Sequence, residues 1–411
     1  MTESIVVICM PGEGHLRRLL PIIEGLCARG RTVHVMADAR ARAKVECLGG
    51  RFCDLFAQYP IEAADATSIP VPSRYVSFAG VYGERLTDQV AALAPGLIIY
   101  DTFAVVAPLI ARRLGVPYVN VCAGHAAEPA RVIAELRRDP RVATSAECWA
   151  AVQRLKNIHG MSNASPFSYV DGQSPFLNVY CEPPAFLNEE ERAAFEPIVF
   201  FGSLAPPVEE DGRAEIFPRP RRSLRIYVSF GTVIWWYFEA AARAALTVIS
   251  RTFADLDVDA VISLGGHELE TTARSSLVDR NVQVVDYADQ WATLQEADVF
   301  VTHHGLNSTH EAIFHRVPMV SYPFFGDQPA MARRCQDLGL AVPLVASLRG
   351  AVTADDVRTA LARIAAEQDS LRAHLNEAHR WEMETIAARP AVIDRIEALR
   401  HRRPGGVWYA E

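Results

Sequence analysis

The chain has 411 residues, a formal net charge of −8 and 50% apolar residues. That length exceeds the roughly 250–300 residues at which one hydrophobic core stops growing, so two domains of about 200 residues are expected. The apolar content excludes a disordered chain, and the acidic balance, with arginines scattered rather than gathered in a stripe, argues against a nucleic-acid partner.

The apolar run from Ile5 to Met10 reads as a strand over residues 4–9. A helical pattern over 15–29 follows, closed by Gly30, then a strand at 32–36. Farther on come a strand at 97–100, a helix at 105–114 and a strand at 117–121. The first run is too short, and lacks the basic flank, for a signal peptide. No apolar run approaches the roughly 18 residues of a membrane span, so a cytoplasmic protein is expected.

Pro206, Pro207 and the acidic residues Glu209, Glu210 and Asp211, followed by Pro218, Pro220, Arg221 and Arg222, form a polar, proline-rich stretch that suits a linker over 206–222. The expected domains are 1–205 and 223–385, with 386–411 as a terminal helical segment packing back on the first domain. In the second domain the spacing predicts strands at 224–229, 260–264, 282–285, 299–302 and 318–322, and helices at 239–254 and 308–314. Such alternation is the signature of parallel sheets with crossover helices, an α/β fold of two doubly wound domains whose ligands lie beyond the carboxyl ends of the strands. The eight cysteines include no C-x-x-C pair and read as free thiols of a reducing compartment.

Two segments carry chemistry. Pro11-Gly12-Glu13-Gly14-His15 joins the first strand to a helix like a dinucleotide fingerprint but has Arg17 where the third glycine belongs, which weakens a hydride-transfer reading. Imidazole is a side chain able to take a proton at physiological pH, so His15 is a candidate base; a cap or surface histidine is the plainer alternative. In the second domain a buried strand ends at Thr302, a turn with His303 and Gly305 follows, and a helix opens near Asn307. A helix N-terminus is an anion site, so Asn307, Ser308 and Thr309, with His303 beside them, could hold a diphosphate without metal, and Glu311 could accept from ribose hydroxyls. A simple N-cap by Asn307 or Ser308 is the competing reading.

This stretch, H-x-G-x-x-S-x-x-E followed by Val317-Pro318 and then Asp327-Gln328, resembles the donor signature of the family 1 glycosyltransferases, and Ser229-Phe230-Gly231-Thr232 looks like that family's S-F-G-[ST] loop. The resemblance implies a GT-B fold of two facing Rossmann-like domains. It also implies transfer of a hexose from a nucleotide diphosphate sugar to a hydroxyl of a small natural-product acceptor, with inversion. His15 would be the base and Asp101 its partner. Gly14, Gly231, Thr232, Tyr287, Gln290, His303, Gly305, Asn307, Ser308, Thr309, Glu311, Asp327 and Gln328 would bind the donor. Within that set, His303, Ser308 and Thr309 are implied on the diphosphate, Glu311 on the ribose, and Asp327 and Gln328 on the sugar. UDP-glucose is favoured over a dTDP-sugar because Asp327-Gln328 resembles the pair of glucose-transferring members.

The chain departs from the pattern in places. His304 replaces the usual Gly or Ala, Arg18 replaces a proline common three residues after the histidine, and the W-x-P-Q element reads Tyr287-Ala288-Asp289-Gln290, so Tyr287, ahead of Trp291, becomes the nucleobase platform. His125 is a further candidate for the acceptor pocket, whose loops are expected within 59–81 and 128–169. His303, His304, His310 and His315 do not converge as a metal set, so neither a metal nor a bound cofactor is expected, only the nucleotide sugar as co-substrate. A monomer or homodimer without membrane contact completes the expectation. Rival readings are a nucleotide-sugar epimerase on the same fold and a non-catalytic partner protein, though the latter would be expected to lose the base or the sugar-contacting pair.

Overall fold

Strands covered on both faces can be apolar without interruption, which is why the β-branched runs of this chain lack a polar alternation. The computed structural model describes residues 3–122, 124–125, 129–204, 216–217, 222 and 224–401. Contacts divide the chain into two units, residues 1–205 with 385–411, and residues 206–384. Apart from Ile216, Phe217 and Arg222, the segment 206–222 read as a linker lies outside the described residues, as does 402–411.

The first unit is built on a seven-stranded parallel sheet in the order β3-β2-β1-β4-β5-β6-β7. Its strands are β1 (Ser4–Ile8), β2 (Val33–Ala37), β3 (Arg51–Asp54), β4 (Pro95–Asp101), β5 (Tyr118–Val121), β6 (Leu177–Tyr180) and β7 (Ile198–Phe200). Val7 lies between Val35 and Ile99, and every residue of β1 is buried. The strand order reverses between β1 and β4, so this is the unit's topological switch point, where open α/β sheets hold ligands. Helix α1 (Glu13–Ala28) leaves β1 with Leu16, Leu19, Ile22, Ile23 and Leu26 buried, and ends before Gly30, whose φ of +72° suits the position after a helix.

The segments 59–81 and 128–169, expected to supply variable loops, are largely helical. They hold part of α2 (Pro72–Ala91), and α3 (Pro129–Arg138) and α4 (Ala146–Asn157). Two glycines make α2 hard to recognise, and each has a packing reason. A Cβ on Gly80 would stand 2.6 Å from that of Ala151 in α4, and one on Gly83 would stand 3.0 Å from Leu109. Helix approach, not a turn, is what those glycines serve.

The second unit has a six-stranded parallel sheet in the order β10-β9-β8-β11-β12-β13. The strands are β8 (Leu224–Ser229), β9 (Val258–Ser263), β10 (Val282–Val285), β11 (Val299–Thr302), β12 (Met319–Ser321) and β13 (Ala341–Pro343). Its switch point falls between β8 and β11. The main helices are α5 (Ile234–Ala254), α6 (Gln290–Glu296), α7 (Leu306–His315), α8 (Gln328–Asp337) and α9 (Gln368–Ala387). Helix α5 starts a turn earlier than the sequence pattern suggests, because its aromatic first turn is separated from the amphipathic part by a kink at Phe238 (φ −137°, ψ 26°).

Helix α10 (Arg389–Ala398) belongs to the first unit. It packs on α1, where a Cβ on Gly25 would stand 3.1 Å from Ile393. Arg29 reaches Asp394 at 2.7 Å, and Arg389 donates to the carbonyls of Phe201 and Leu204. All eight cysteines are unpaired thiols, five of them buried. No helix among the described residues is long and apolar enough to cross a membrane.

Candidate active site

In the first unit the switch point places the end of β4 beside the turn after β1. Asp101, the last residue of β4, is almost wholly buried and three groups donate to its carboxylate. Oδ2 accepts from the Met10 backbone N–H at 2.6 Å, and Oδ1 accepts from the Phe103 N–H at 2.9 Å. Oδ1 also lies 3.1 Å from His15 Nδ1. A carboxylate so held is an acceptor, which fixes the proton on Nδ1 and turns the lone pair of His15 onto Nε2. The His15 side chain keeps 18% of its exposure against 2% for Asp101, so the pair has one dry end and one accessible end.

Two residues of this arrangement were not singled out from the sequence. Phe103 packs against the His15 ring at 4.6 Å between centroids. Gly12, the residue before α1, leaves room for that ring, since a Cβ there would sit 2.7 Å from His15 Cδ2. The spacing of Pro11-Gly12 before the histidine was the available clue. Gly14 lies in the first turn of α1 in the first unit, whereas every other candidate donor residue is in the second.

His125 is not presented as an acceptor-pocket group. Its ring is buried, with Nδ1 2.9 Å from Glu182 Oε2 and 3.3 Å from the Tyr180 hydroxyl, so it serves the interior. That correction comes from a carboxylate 57 residues away, which no local pattern discloses.

The second unit's switch point is assembled from three strand-end turns. Gly231 follows β8 with φ +72°, and a Cβ there would stand 2.8 Å from His303 Cε1 and Nε2. A Cβ on Gly305 would stand 2.5 Å from His303 Nε2, so the ring is held between two glycines. Gly265, after β9, leaves no room for a Cβ against the Gly231 carbonyl. Burial lowers the His303 pKa to about 4, with the Ser229 backbone opposing, so the ring is neutral at pH 7.

Helix α7 begins at Gly305 with no side-chain cap, contrary to a capping role for Asn307 or Ser308. Its first N–H groups and the positive end of its dipole are left for a ligand. Asn307 Oδ1 is buried and has no partner among the described residues. Ser308 is buried within a chain of polar contacts: Gln290 Nε2 donates to Ser308 Oγ at 3.1 Å and to Glu311 Oε2 at 2.7 Å. Gln290 thus fixes the carboxylate one turn into the helix.

Thr309, expected at a diphosphate, is turned inward. It is fully buried, with Oγ1 3.2 Å from His304 Nδ1. His304 adopts φ +61° and also reaches Ser321 Oγ at 2.8 Å through Nε2. Burial first, then the neighbouring His303, takes its pKa down to about 3, so it stays neutral and joins β11, β12 and α7. His310 is likewise internal, paired with Glu382 of α9. No group of three or more His, Cys, Asp or Glu among the described residues is arranged to hold a metal ion.

At the sheet's rim Gln328, at the start of α8, accepts from the backbone N–H groups of Phe324 and Phe325 through Oε1, next to Asp327. Thr232 follows Gly231 in an open turn. Tyr287 is 71% exposed. Trp291 instead packs its ring on Phe314 and His315 at 4.8 and 4.5 Å, an internal role that separates the two candidates for the nucleobase platform.

Comparison with known proteins gives a consistent picture. Residues 224–373 match the family model described as UDP-glucoronosyl and UDP-glucosyl transferase. An oleandomycin glycosyltransferase of Streptomyces antibioticus is 26% identical over 97% of both chains. An NDP-glycosyltransferase of Bacillus licheniformis is 26% identical over 86% of this chain and 89% of the relative. Among solved structures, the glycosyltransferase of kitacinnamycin superposes with a TM-score of 0.73 at 23% identity, covering 97% of this chain and all of that one.

Proposed function

Since this chain is a family 1 nucleotide-sugar glycosyltransferase of the GT-B fold, we propose that it transfers a hexose, with UDP-glucose the favoured donor, to a hydroxyl of a small natural-product acceptor with inversion. The observation that carries this reading is the His15–Asp101 contact at the first unit's switch point. With Nδ1 committed to Asp101, Nε2 accepts the proton of the acceptor hydroxyl. The acceptor oxygen then forms its bond to the anomeric carbon as the bond from that carbon to the diphosphate oxygen breaks. The electron pair leaves on the diphosphate. Asp101 offsets the imidazolium that forms.

Charge gathering on the leaving diphosphate is met by the uncapped end of α7 and by the N–H of neutral His303, both dipolar groups already in place. Ser308 and Thr232 add hydroxyls, Glu311 takes the ribose, Tyr287 the base, and Asp327 with the amide of Gln328 the sugar hydroxyls. Gly231 and Gly305 let the backbone come close.

The test is turnover with purified protein, UDP-glucose or dTDP-glucose, and a panel of phenolic and alkyl alcohols. Glycoside should form only when donor and acceptor are both present, and should survive exhaustive chelation. A sugar-nucleotide product made without acceptor would instead indicate an epimerase. A chelated enzyme that is dead and revived by magnesium or manganese would overturn the role given to α7 and His303.

A further inference from the structure

The contact from His15 Nδ1 to Asp101 Oδ1 at 3.1 Å fixes one atom of the imidazole. By itself it would leave the ring free to swing about the Cβ–Cγ bond, because a torsion between a tetrahedral and a planar atom has broad, roughly two-fold wells. Such a swing moves Nε2, the atom that meets the acceptor hydroxyl. Keeping Nε2 in one place takes a second contact.

Phe103, two residues after the end of β4, supplies it. Its backbone N–H donates at 2.9 Å to the same Asp101 Oδ1 that His15 uses. Its half-buried ring lies 4.6 Å from the His15 ring between centroids, tilted by 44°. The Gly12 backbone runs close to the Cδ2 edge of the imidazole, where a Cβ would stand 2.7 Å from Cδ2.

Phe103 is in turn fixed by two buried tyrosines. Tyr169, from the segment before β6, meets it edge to face at 5.6 Å and 88°, and Tyr75, from α2, lies 6.2 Å away at 32°. The Tyr75 hydroxyl donates to the Pro11 carbonyl at 3.5 Å, in the turn before α1. The ring that meets the imidazole is thus anchored by elements far apart in sequence, all of them in the first unit.

We propose that Phe103 is a positioning residue for the reaction: its ring sets the plane of the His15 imidazole, so that Nε2 stays on the acceptor hydroxyl while Nδ1 stays on Asp101. This rests on the reading of His15 as the base. Phe103 neither takes a proton nor carries a charge; it acts through the ring it touches. Misplacing a catalytic group by about 1 Å costs up to roughly 100-fold in rate, which sets the scale of what the contact contributes.

The test compares Phe103→Ala, Phe103→Leu and Phe103→Tyr in the full chain, with UDP-glucose or dTDP-glucose as donor and with an alkyl alcohol and a phenol as acceptors. The main-chain N–H survives in all three variants, so the Asp101 carboxylate keeps its donors and the comparison reads the ring alone. Phe103→Ala should lower kcat on the alkyl alcohol by roughly 10- to 100-fold with donor KM unchanged, and should lower it less on the phenol, whose more acidic hydroxyl leans less on the base. Phe103→Tyr keeps the aromatic face and should restore most of the rate. Phe103→Leu returns apolar volume without the flat face, so it should restore the thermal midpoint but only part of the rate. A second readout needs no turnover. Nitrogen-15 NMR of histidine-labelled protein, with the His15 signals assigned by their loss in His15→Ala, should show a single Nδ1–H tautomer in the wild type and averaged ring nitrogens in Phe103→Ala. An unchanged rate or an unchanged His15 spectrum in Phe103→Ala overturns the proposal, as do equal losses on alcohol and phenol that follow the thermal midpoint across the three variants. A His15→Ala enzyme of undiminished rate would sink the reading of His15 as the base, and the NMR comparison would still decide whether Phe103 sets the ring.

Discussion

The two units share a topology and differ in electrostatics. At the β1/β4 switch point a buried carboxylate is held by two backbone N–H groups and aims a partly exposed imidazole. At the β8/β11 switch point the buried histidines are neutral, glycines crowd them, and the approach is to a helix end with no cap. The first arrangement is suited to take a proton, the second to receive an anion without a net countercharge. The same sheet geometry thus carries two different electrostatic settings through what stands in the first few residues after the central strands.

Removing the charged side of this contrast should have the largest effect. His15→Ala is expected to cut turnover on an alkyl alcohol by roughly 10²–10⁴ while donor affinity stays put. Asp101→Asn keeps the shape but not the charge, so its loss should overlap with that of His15→Ala, and single-turnover rates of the double variant should not show a summed loss. Additive losses would place the base elsewhere.

On the neutral side, Glu311→Ala should raise the donor KM by roughly tenfold or more, in keeping with about 1.5–3 kcal/mol for a charge-assisted hydrogen bond, with acceptor KM unchanged. Unaltered donor affinity by calorimetry in a folded variant would refute the ribose role. Gly231→Ala forces a side chain into a φ of +72° and a Cβ to 2.8 Å from His303, so donor affinity should fall by roughly tenfold, from about 1–3 kcal/mol of strain. A wild-type value there would mean that the His303 ring is free to move aside.

The smallest effect concerns pH. His303 and His304 titrate at about 4 and about 3 in the folded chain, below the ordinary value near 6.5. The unfolded chain therefore binds more protons in between. The stabilisation is complete above pH 6.5 and is lost as pH falls from there toward 4 for His303 and toward 3 for His304. The urea midpoint should decline across that window, and less so in His304→Asn. Equal declines would show that folding leaves the proton affinity of His304 unchanged.

Much of this was legible in the sequence, for a physical reason. The central strands are apolar runs, and the residues after them are of types suited to proton transfer and anion binding, so β1, β4, β8 and β11 and the segments from His15 and His303 stood out. Elements fixed by distant partners did not. Helix α2 was hidden by Gly80 and Gly83, whose reasons are Ala151 and Leu109. Thr309 faces His304 because that histidine occupies a left-handed position where a glycine is usual, and the sequence shows the substitution but not where the ring goes. Short edge strands such as β7 and β13 have three residues each, too few for a period.

The two backbone donors on Asp101 bear on how this chain can change. Because Met10 and Phe103 contribute main-chain N–H groups, the Asp101 carboxylate is held without calling on any further polar side chain. Under the proposed reaction, exchange in residues 129–167 is expected to alter acceptor choice while leaving the His15–Asp101 contact in place. A chimera that receives that stretch from a similar glycosyltransferase should take on that protein's acceptor range and keep its own His15–Asp101 contact.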